Sequence, residues 1–520
     1  KDVARTYITY RNERTRLREG NSEFIKEVGE KLTASNVQNQ NANVDERSFG
    51  GRMGEARNVL TKKYALDYLI SPKARKNHEE NRIYIHDLDN YASGCHNCLT
   101  VPFDSVLRNG FNTRQTDVRG ANSINTAFQL IAVIFQLQSL QQFGGVSASH
   151  LDHTMVPYIR LSFFKHYCDG IEFIYDDEKL SDEFKNTYSR EEIMDNLSID
   201  SDFYKESSYS KAYDYAMKKT VKETEQAVEG MYHNLNTLQS RSGNQLPFTS
   251  INYGTCTLHE GRIVIKALLE GSIKGVGKLH RTSIFPCGIF QCMTGVNRKP
   301  GDPNYDMFKL AIKSTAKRLY PNYCNVDWSI NAGYDRNDPK TYVSTMGCRT
   351  YNGSDINGLG QLKDGRGNIA PSTIIMPTLA MEAKEESELK GTNIIDEFMK
   401  ILDIAIDDCR EGLLDRFDYI CSQPMESAKF MYENNLIAGY VPEEGIKSAL
   451  KHGTLAIGNI GLAETLQILI GCDQTEKKGF DLACKIYQLF KDKCKYFKEH
   501  DKLNWGVYNT PKSVGAPIVI

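Results

Sequence analysis

Apolar residues recur near the start of the chain at Val3, Ala4, Tyr7 and Tyr10, with Arg14 on the same face and charges on the other. That spacing predicts a helix over Val3–Glu19. Ser35 to Val44 is rich in Asn and Gln, has no period, and reads as a linker. From Asp45 onward, helical patterns alternate with short β-branched or apolar runs at Arg82–His86, Phe248–Tyr253, Thr282–Phe290 and Thr373–Pro377. Such alternation predicts an α/β architecture. Residues 177–210 are charged and Ser/Asp-rich, as expected of a surface insertion containing short helices.

Ile124 to Gln142 breaks the amphipathic rule. It is apolar on nearly every face, carries Gln129, Gln136, Gln141 and Gln142, and is expected to end at Gly144-Gly145. Two readings stand side by side: a buried central helix, or a helix packed between subunits or beside a polar ligand.

With 520 residues, 40% of them hydrophobic, the chain can bury a sizeable core. Lys plus Arg number 64 against 66 Asp plus Glu, so no nucleic-acid partner is expected, although a local phosphate pocket is compatible with the balance. The longest apolar stretch is interrupted by Gln129, Gln136 and Gln138, and the opening Lys-Asp-Val-Ala-Arg is not a secretory signal. Neither a membrane partner nor export is expected, and the expected location is cytoplasmic. The 13 cysteines are then thiols rather than a disulfide framework.

Some thiols can therefore be chemical. Cys95-His-Asn-Cys98 has CxxC spacing, but no second CxxC completes a four-thiolate site, and no metal ligands are assigned. Cys348 sits in Ser344-Thr-Met-Gly-Cys-Arg-Thr350, where Gly347 permits a tight turn at the thiol. Taken singly, each cysteine is as well explained as a small buried hydrophobe. His86 ends an apolar strand-like run, a position that suits an acid, a base, or a histidine bonded to its neighbours. Gly458-Asn-Ile-Gly461 precedes an expected helix start at Leu462, where backbone N–H groups can hold phosphate. There is no Walker-type loop and no dinucleotide fingerprint.

Taken together, several segments resemble the large subunit of the class III (anaerobic) ribonucleotide reductases. They are Asn43–Gly51, Tyr84–Asp89, His96–Leu99, Gly110–Asp117, Ala121–Asn125, Phe135–Gly145, Met346–Thr350 and Gly365–Asn368. The likeness covers about Asp45 to Pro511. It implies a ten-stranded α/β barrel (residues 45–511) with a central finger loop carrying Cys348. It further implies that Cys348 becomes the thiyl radical that takes the 3′-hydrogen of a ribonucleoside triphosphate, and that Cys98 donates hydrogen from the opposite ribose face. Asn368 would stand where aerobic enzymes carry a glutamate; Asn97 and His86 would help bind substrate, with Gly458 and Gly461 near its phosphates. Formate is the implied reductant. Cys95 departs from the usual pattern, as a spectator or as a partner of Cys98 in a thiol-based scheme. Gln136 and Gln141 fall in the region that forms the dimer interface and effector site, so nucleotide effectors and a homodimer are expected.

The two ends depart from the family. Residues 1–20 look like the last helix of an ATP-cone, residues 21–44 like a linker, and 512–520 follow no family pattern. The family stores a glycyl radical in an Arg-x-x-Gly-Tyr-type motif near a zinc site, and a radical-SAM activating enzyme (4Fe-4S cluster, S-adenosylmethionine) generates it. No such motif is present, and Gly515 lacks the flanking Arg and Tyr. The expectation is a fragment, a split-gene product or a truncated frame, inactive alone, with glycyl radical and zinc on a segment it does not encode. Competing readings are a sister glycyl-radical enzyme acting on another small substrate and a non-catalytic nucleotide-binding subunit.

Overall fold

The computed structural model describes residues 2–33, 48–205, 208–241, 245–328, 331–347 and 350–509. The helix expected over Val3–Glu19 runs on to Thr33, through the first part of the expected linker. Residues 34–47 lie outside the described residues, as do 510–520 with Gly515. The insertion at 177–210 holds the short helices Glu178–Thr187, Arg190–Asn196 and Asp202–Lys205, as its composition predicted.

The strands are β1 (Ile83–Ile85), β2 (Leu99–Thr100), β3 (Phe111–Asn112), β4 (Asp117–Val118) and β5 (Val146–Ala148). They continue with β6 (Thr249–Tyr253), β7 (Cys287–Cys292), β8 (Asn322–Asn325), β9 (Thr345–Met346) and β10 (Thr350–Tyr351). The last three are β11 (Asn368–Ile375), β12 (Thr454–Ile460) and β13 (Asn504–Asn509). Two sheets carry the architecture: a four-stranded one in the order β1-β11-β12-β13 and a five-stranded one in the order β2-β5-β6-β7-β8. All neighbours in the larger sheet are parallel, and in the smaller sheet only β1 runs antiparallel. Parallel neighbours need long crossovers, supplied by helices such as His259–Lys274 between β6 and β7, and Met376–Lys390 with Ile394–Cys421 between β11 and β12. With helices outside and a second layer inside, β6 and β11 are buried at every position.

The sheets meet where the segment around β2 bonds the start of β11: Asn97 N–H to Ile369 O, Cys98 N–H to Asn368 O and Thr100 N–H to Arg366 O, each 2.9 Å. On the far side, β8 and β13 flank a cavity of 710 Å3, and among the described residues no ladder joins them. The β9/β10 hairpin lies between the sheets as the finger of the α/β fold.

Helix Ile124–Gln138 starts at Ser123, whose hydroxyl accepts from the Thr126 N–H at 3.1 Å. It ends earlier than expected, in a turn closed by Gln141 N–H to Gln138 O, ahead of the two glycines. One face of it belongs to the core: Ile124, Phe128, Ile131, Ile134 and Phe135 are fully buried, each contributing roughly 1.5–3 kcal/mol. Asn125, Gln129 and Leu140 form the outward stripe. Among the described residues, no helix is long and apolar enough to cross a membrane.

Candidate active site

Cys98 precedes β2 and is buried. Its sulfur accepts a hydrogen bond from the Gly145 N–H at 3.2 Å and interacts with the Thr350 hydroxyl. Burial pushes the thiol up to about 11, against the pull of those two donors, so it stays an S–H. Gly144 and Gly367 are required by close approach: a Cβ on Gly144 would collide with Asn97 and Cys98, and one on Gly367 would strike the Cys98 carbonyl. Cys95 bonds Ser93 Oγ at 3.0 Å, and burial raises its thiol as well.

Thr350 opens the returning strand of the hairpin. Cys348 and Arg349 lie outside the described residues; Gly347 and Thr350 flank them in sequence. The descending strand pairs with β10 and is tied to the larger sheet by side chains. The Thr345 carbonyl accepts from Ser147 Oγ and Asn252 Nδ2, both at 3.0 Å, while its N–H donates to Asn252 Oδ1 at 3.0 Å. Gly347 N–H reaches Ser250 Oγ at 2.8 Å, and Gln291 Nε2 reaches Val343 O at 3.0 Å. These side chains come from β5, β6 and β7, so the larger sheet presents amide and hydroxyl groups inward where a packed barrel would present apolar ones.

Asn368 starts β11, and its side-chain Oδ1 is buried without a partner among the described residues. An unpaired buried acceptor costs about 1–3 kcal/mol, which a ligand hydroxyl placed there would recover. Asn368 lines the 710 Å3 cavity together with Thr345 and Thr350 of the hairpin, Tyr323 of β8 and Tyr508 of β13. Lys491, Lys495 and Lys498, on one face of helix Lys477–Asp501, add positive charge to its wall.

His86 follows β1 and shares a 2.6 Å hydrogen bond with Thr373 Oγ1, which lies 3.3 Å from the Tyr508 hydroxyl. Its carbonyl accepts from Arg416 Nη1 at 2.7 Å, and that buried guanidinium is sandwiched between the Tyr91 and Phe143 rings at 4.9 and 4.6 Å.

The expected residues thus divide. Cys98, Asn97 and Asn368 are brought together at the junction of the two sheets, with the hairpin beside them. Gly458 is not at the helix entrance but inside β12, in register with Thr373 and Tyr508. Gly461 does sit at the start of helix Leu462–Ile470, in a left-handed conformation. Gln136 and Gln141 lie apart from these, on helix Ile124–Gln138 and the turn after it, and Gln136 Nε2 is buried without a partner among the described residues. Ser147, Ser250, Asn252, Gln291 and the three lysines were not anticipated. The one signal was polar alternation inside short apolar runs, as in Thr249-Ser-Ile-Asn-Tyr253.

A family model described as anaerobic ribonucleoside-triphosphate reductase matches residues 40–513. Proteins of that description from Haemophilus influenzae and Escherichia coli are each 26% identical, over 523 and 525 residues, covering 98% of this chain. The chain spans 66% of the length of those two relatives. A solved anaerobic ribonucleotide reductase from Thermotoga maritima, in complex with dATP and CTP, shares the fold with a TM-score of 0.61 at 14% identity, over 93% of this chain and 73% of that one. The same enzyme with citrate in its active site gives 0.60 at 15%, over 93% and 79%.

Proposed function

Because the chain belongs to the anaerobic ribonucleoside-triphosphate reductase family, we propose that its barrel is the catalytic core that converts ribonucleoside triphosphates to 2′-deoxyribonucleoside triphosphates. The observation that carries the reading is the meeting of the hairpin with Cys98: Thr350, two residues past Cys348, interacts with a thiol held neutral by burial. A hydrogen donor to a substrate radical must keep its hydrogen, and a thiol pushed up to about 11 does so at any physiological pH.

In this reading Cys348 takes the ribose 3′-hydrogen, and Cys98 delivers hydrogen at C2′ as the hydroxyl leaves as water. The ribose hydroxyls lie against Asn97 and the open Oδ1 of Asn368, an amide that positions without acting as a base. His86 is assigned to substrate binding through Thr373, which lies 3.3 Å from the hydroxyl of the cavity residue Tyr508. The triphosphate extends toward the N-terminal end of helix Leu462–Ile470 at Gly461, near β12 residue Gly458. In the net reaction, formate gives two electrons and leaves as carbon dioxide, one solvent proton is taken up, and the 2′-oxygen departs as water. A glycyl radical, made by a radical-SAM activating enzyme, supplies the oxidising equivalent when present. Nucleotide effectors and a second copy of the chain are assigned to the region of Gln136 and Gln141.

The test is anaerobic turnover of a ribonucleoside triphosphate with formate, the activating enzyme, S-adenosylmethionine and a family glycyl-radical segment supplied in trans. Deoxynucleotide formation that disappears in Cys348→Ser is the expected result. Product formed equally by the Cys348→Ser variant would overturn the assignment.

A further inference from the structure

Away from the thiol, where the loop carrying the hairpin leaves and re-enters the larger sheet, a partly buried chain of charged groups joins both of its ends. The two stems meet through the Lys363 N–H, which donates to the Lys340 carbonyl at 3.1 Å. On one stem, Lys340 Nζ lies 3.3 Å from Asp104 Oδ2. On the other, the Asp364 carboxylate accepts from the Ser149 hydroxyl. His150 bridges them, its Nε2 3.3 Å from Asp104 and its Nδ1 2.6 Å from Ser149 Oγ. Thr154 Oγ1 donates to the remaining Asp104 oxygen at 2.6 Å. Ser149, His150 and Asp364 are all buried, and Ser149 also fixes its carbonyl to Gln291, the side chain that holds Val343 of the descending strand.

Because the Ser149 hydroxyl gives its one hydrogen to Asp364, it must accept from His150 Nδ1–H. The other ring nitrogen then donates to Asp104, so the imidazole holds two protons. We propose that Asp104, His150, Ser149 and Asp364 form a positioning clamp that fixes the root of the hairpin loop and thereby sets where its tip stands in the barrel. A cation bridging two stems is worth building into a low-dielectric interior only when both carboxylates are paired, and here both are. The titration agrees with the geometry. Burial would lower the His150 imidazole, but Asp364 and Asp104 outweigh it and raise it to about 9. Asp152, the neutral-leaning His153 and Lys340 complete the charged groups facing it. For His150 taken alone, a folded-state value above the ordinary one gives stabilisation that is full below about pH 6.5 and lost as pH rises through about 9. Burial raises the Asp364 carboxyl to about 6, so both charges of that pair are present between about pH 6 and 9.

The effect on turnover rests on reading the hairpin as the catalytic finger, whereas the clamp itself is tested without turnover. Hydrogen exchange by mass spectrometry on the whole chain reads the Thr345 and Gly347 amides against reporter peptides in β7 and β12. Ser149→Ala should speed hairpin exchange about tenfold while the reporters hold, and Ser149→Thr should restore protection. In the unmodified protein, hairpin exchange corrected for intrinsic rate should be flat from pH 6 to 7.5 and accelerate past about 9. Unchanged hairpin exchange in Ser149→Ala, or an equal rise in hairpin and reporters, overturns the proposal. So does a hairpin protection independent of pH up to about 10, a result that needs no variant to fold.

Discussion

A methyl group on Gly144 would stand 2.8 Å from the Cys98 sulfur, so the thiol is walled in by backbone on that side rather than by a side chain that could yield. The same methyl would press on Asn97, and the two residues expected at the ribose would move together.

Gly144→Ala is therefore expected to cost about 1–3 kcal/mol of stability by overpacking. Urea unfolding checks this, and a variant as stable as the parent would show that the loop at 144–145 relaxes freely.

The Cys98 thiol is raised by burial to about 11, above the free-thiol value of 9.0. The unfolded chain ionises first, so this thiol's contribution to stability is complete below pH 9 and declines as pH climbs toward 11. Peptide mapping after iodoacetamide treatment should find the exposed Cys484 alkylated at pH 8 and Cys98 still reduced and unmodified, its rate inflecting only near pH 11. An inflection below pH 9 would contradict the buried, neutral thiol.

Asn252 both donates to and accepts from Thr345, a two-way contact that no other residue supplies to that position among the described residues. Asn252→Ala leaves the Thr345 N–H without its partner in a part-buried site, at about 1 kcal/mol. Denaturant unfolding measures the loss, and the Thr345 amide should exchange faster than those of β12.

Arg416 is held between two rings and bonded to the His86 carbonyl. Lysine keeps the charge but neither the flat stacking surface nor the fork of donors, so Arg416→Lys should lose about 2 kcal/mol. A thermal midpoint equal to the parent's would mean that the rings contribute packing alone.

How much of this was legible beforehand differed by element. The core helix Ile124–Gln138 is legible because its burial is nearly uniform and its sequence correspondingly apolar, and β6 lies inside the strand-like run Phe248–Tyr253. Of β11 only Thr373–Ile375 falls in an expected run, because its buried first half carries Asn368, Pro371 and Ser372. The spacing at the start predicts a helix only to Glu19, yet the helix continues to Thr33, packed along helix Phe49–Tyr64 with Arg52 bonded to the Leu32 carbonyl. A Gly-x-x-Gly before an apolar run looks like a helix entrance, whereas only Gly461 caps the helix and Gly458 lies between β11 and β13. The convergence of Asn97 and Cys98 with Asn368 is a pairing across some 270 residues. Local periodicity carries no record of such a pairing, and only the likeness to a family supplied it. The grip of Ser147, Ser250, Asn252 and Gln291 left a faint trace as polar letters in buried strands, but nothing local tells a ligand-facing asparagine from one that holds another part of the chain.

The descending strand of the hairpin is a guest among the side chains of its hosts. A strand laddered into a sheet inherits its place from the main chain, which mutation barely touches, whereas this one ladders with β10 and is tied to the larger sheet by four exchangeable side chains whose loss leaves that sheet intact. Reach and durability are therefore encoded separately, and single substitutions can shift the hairpin while the surrounding sheets keep their shape.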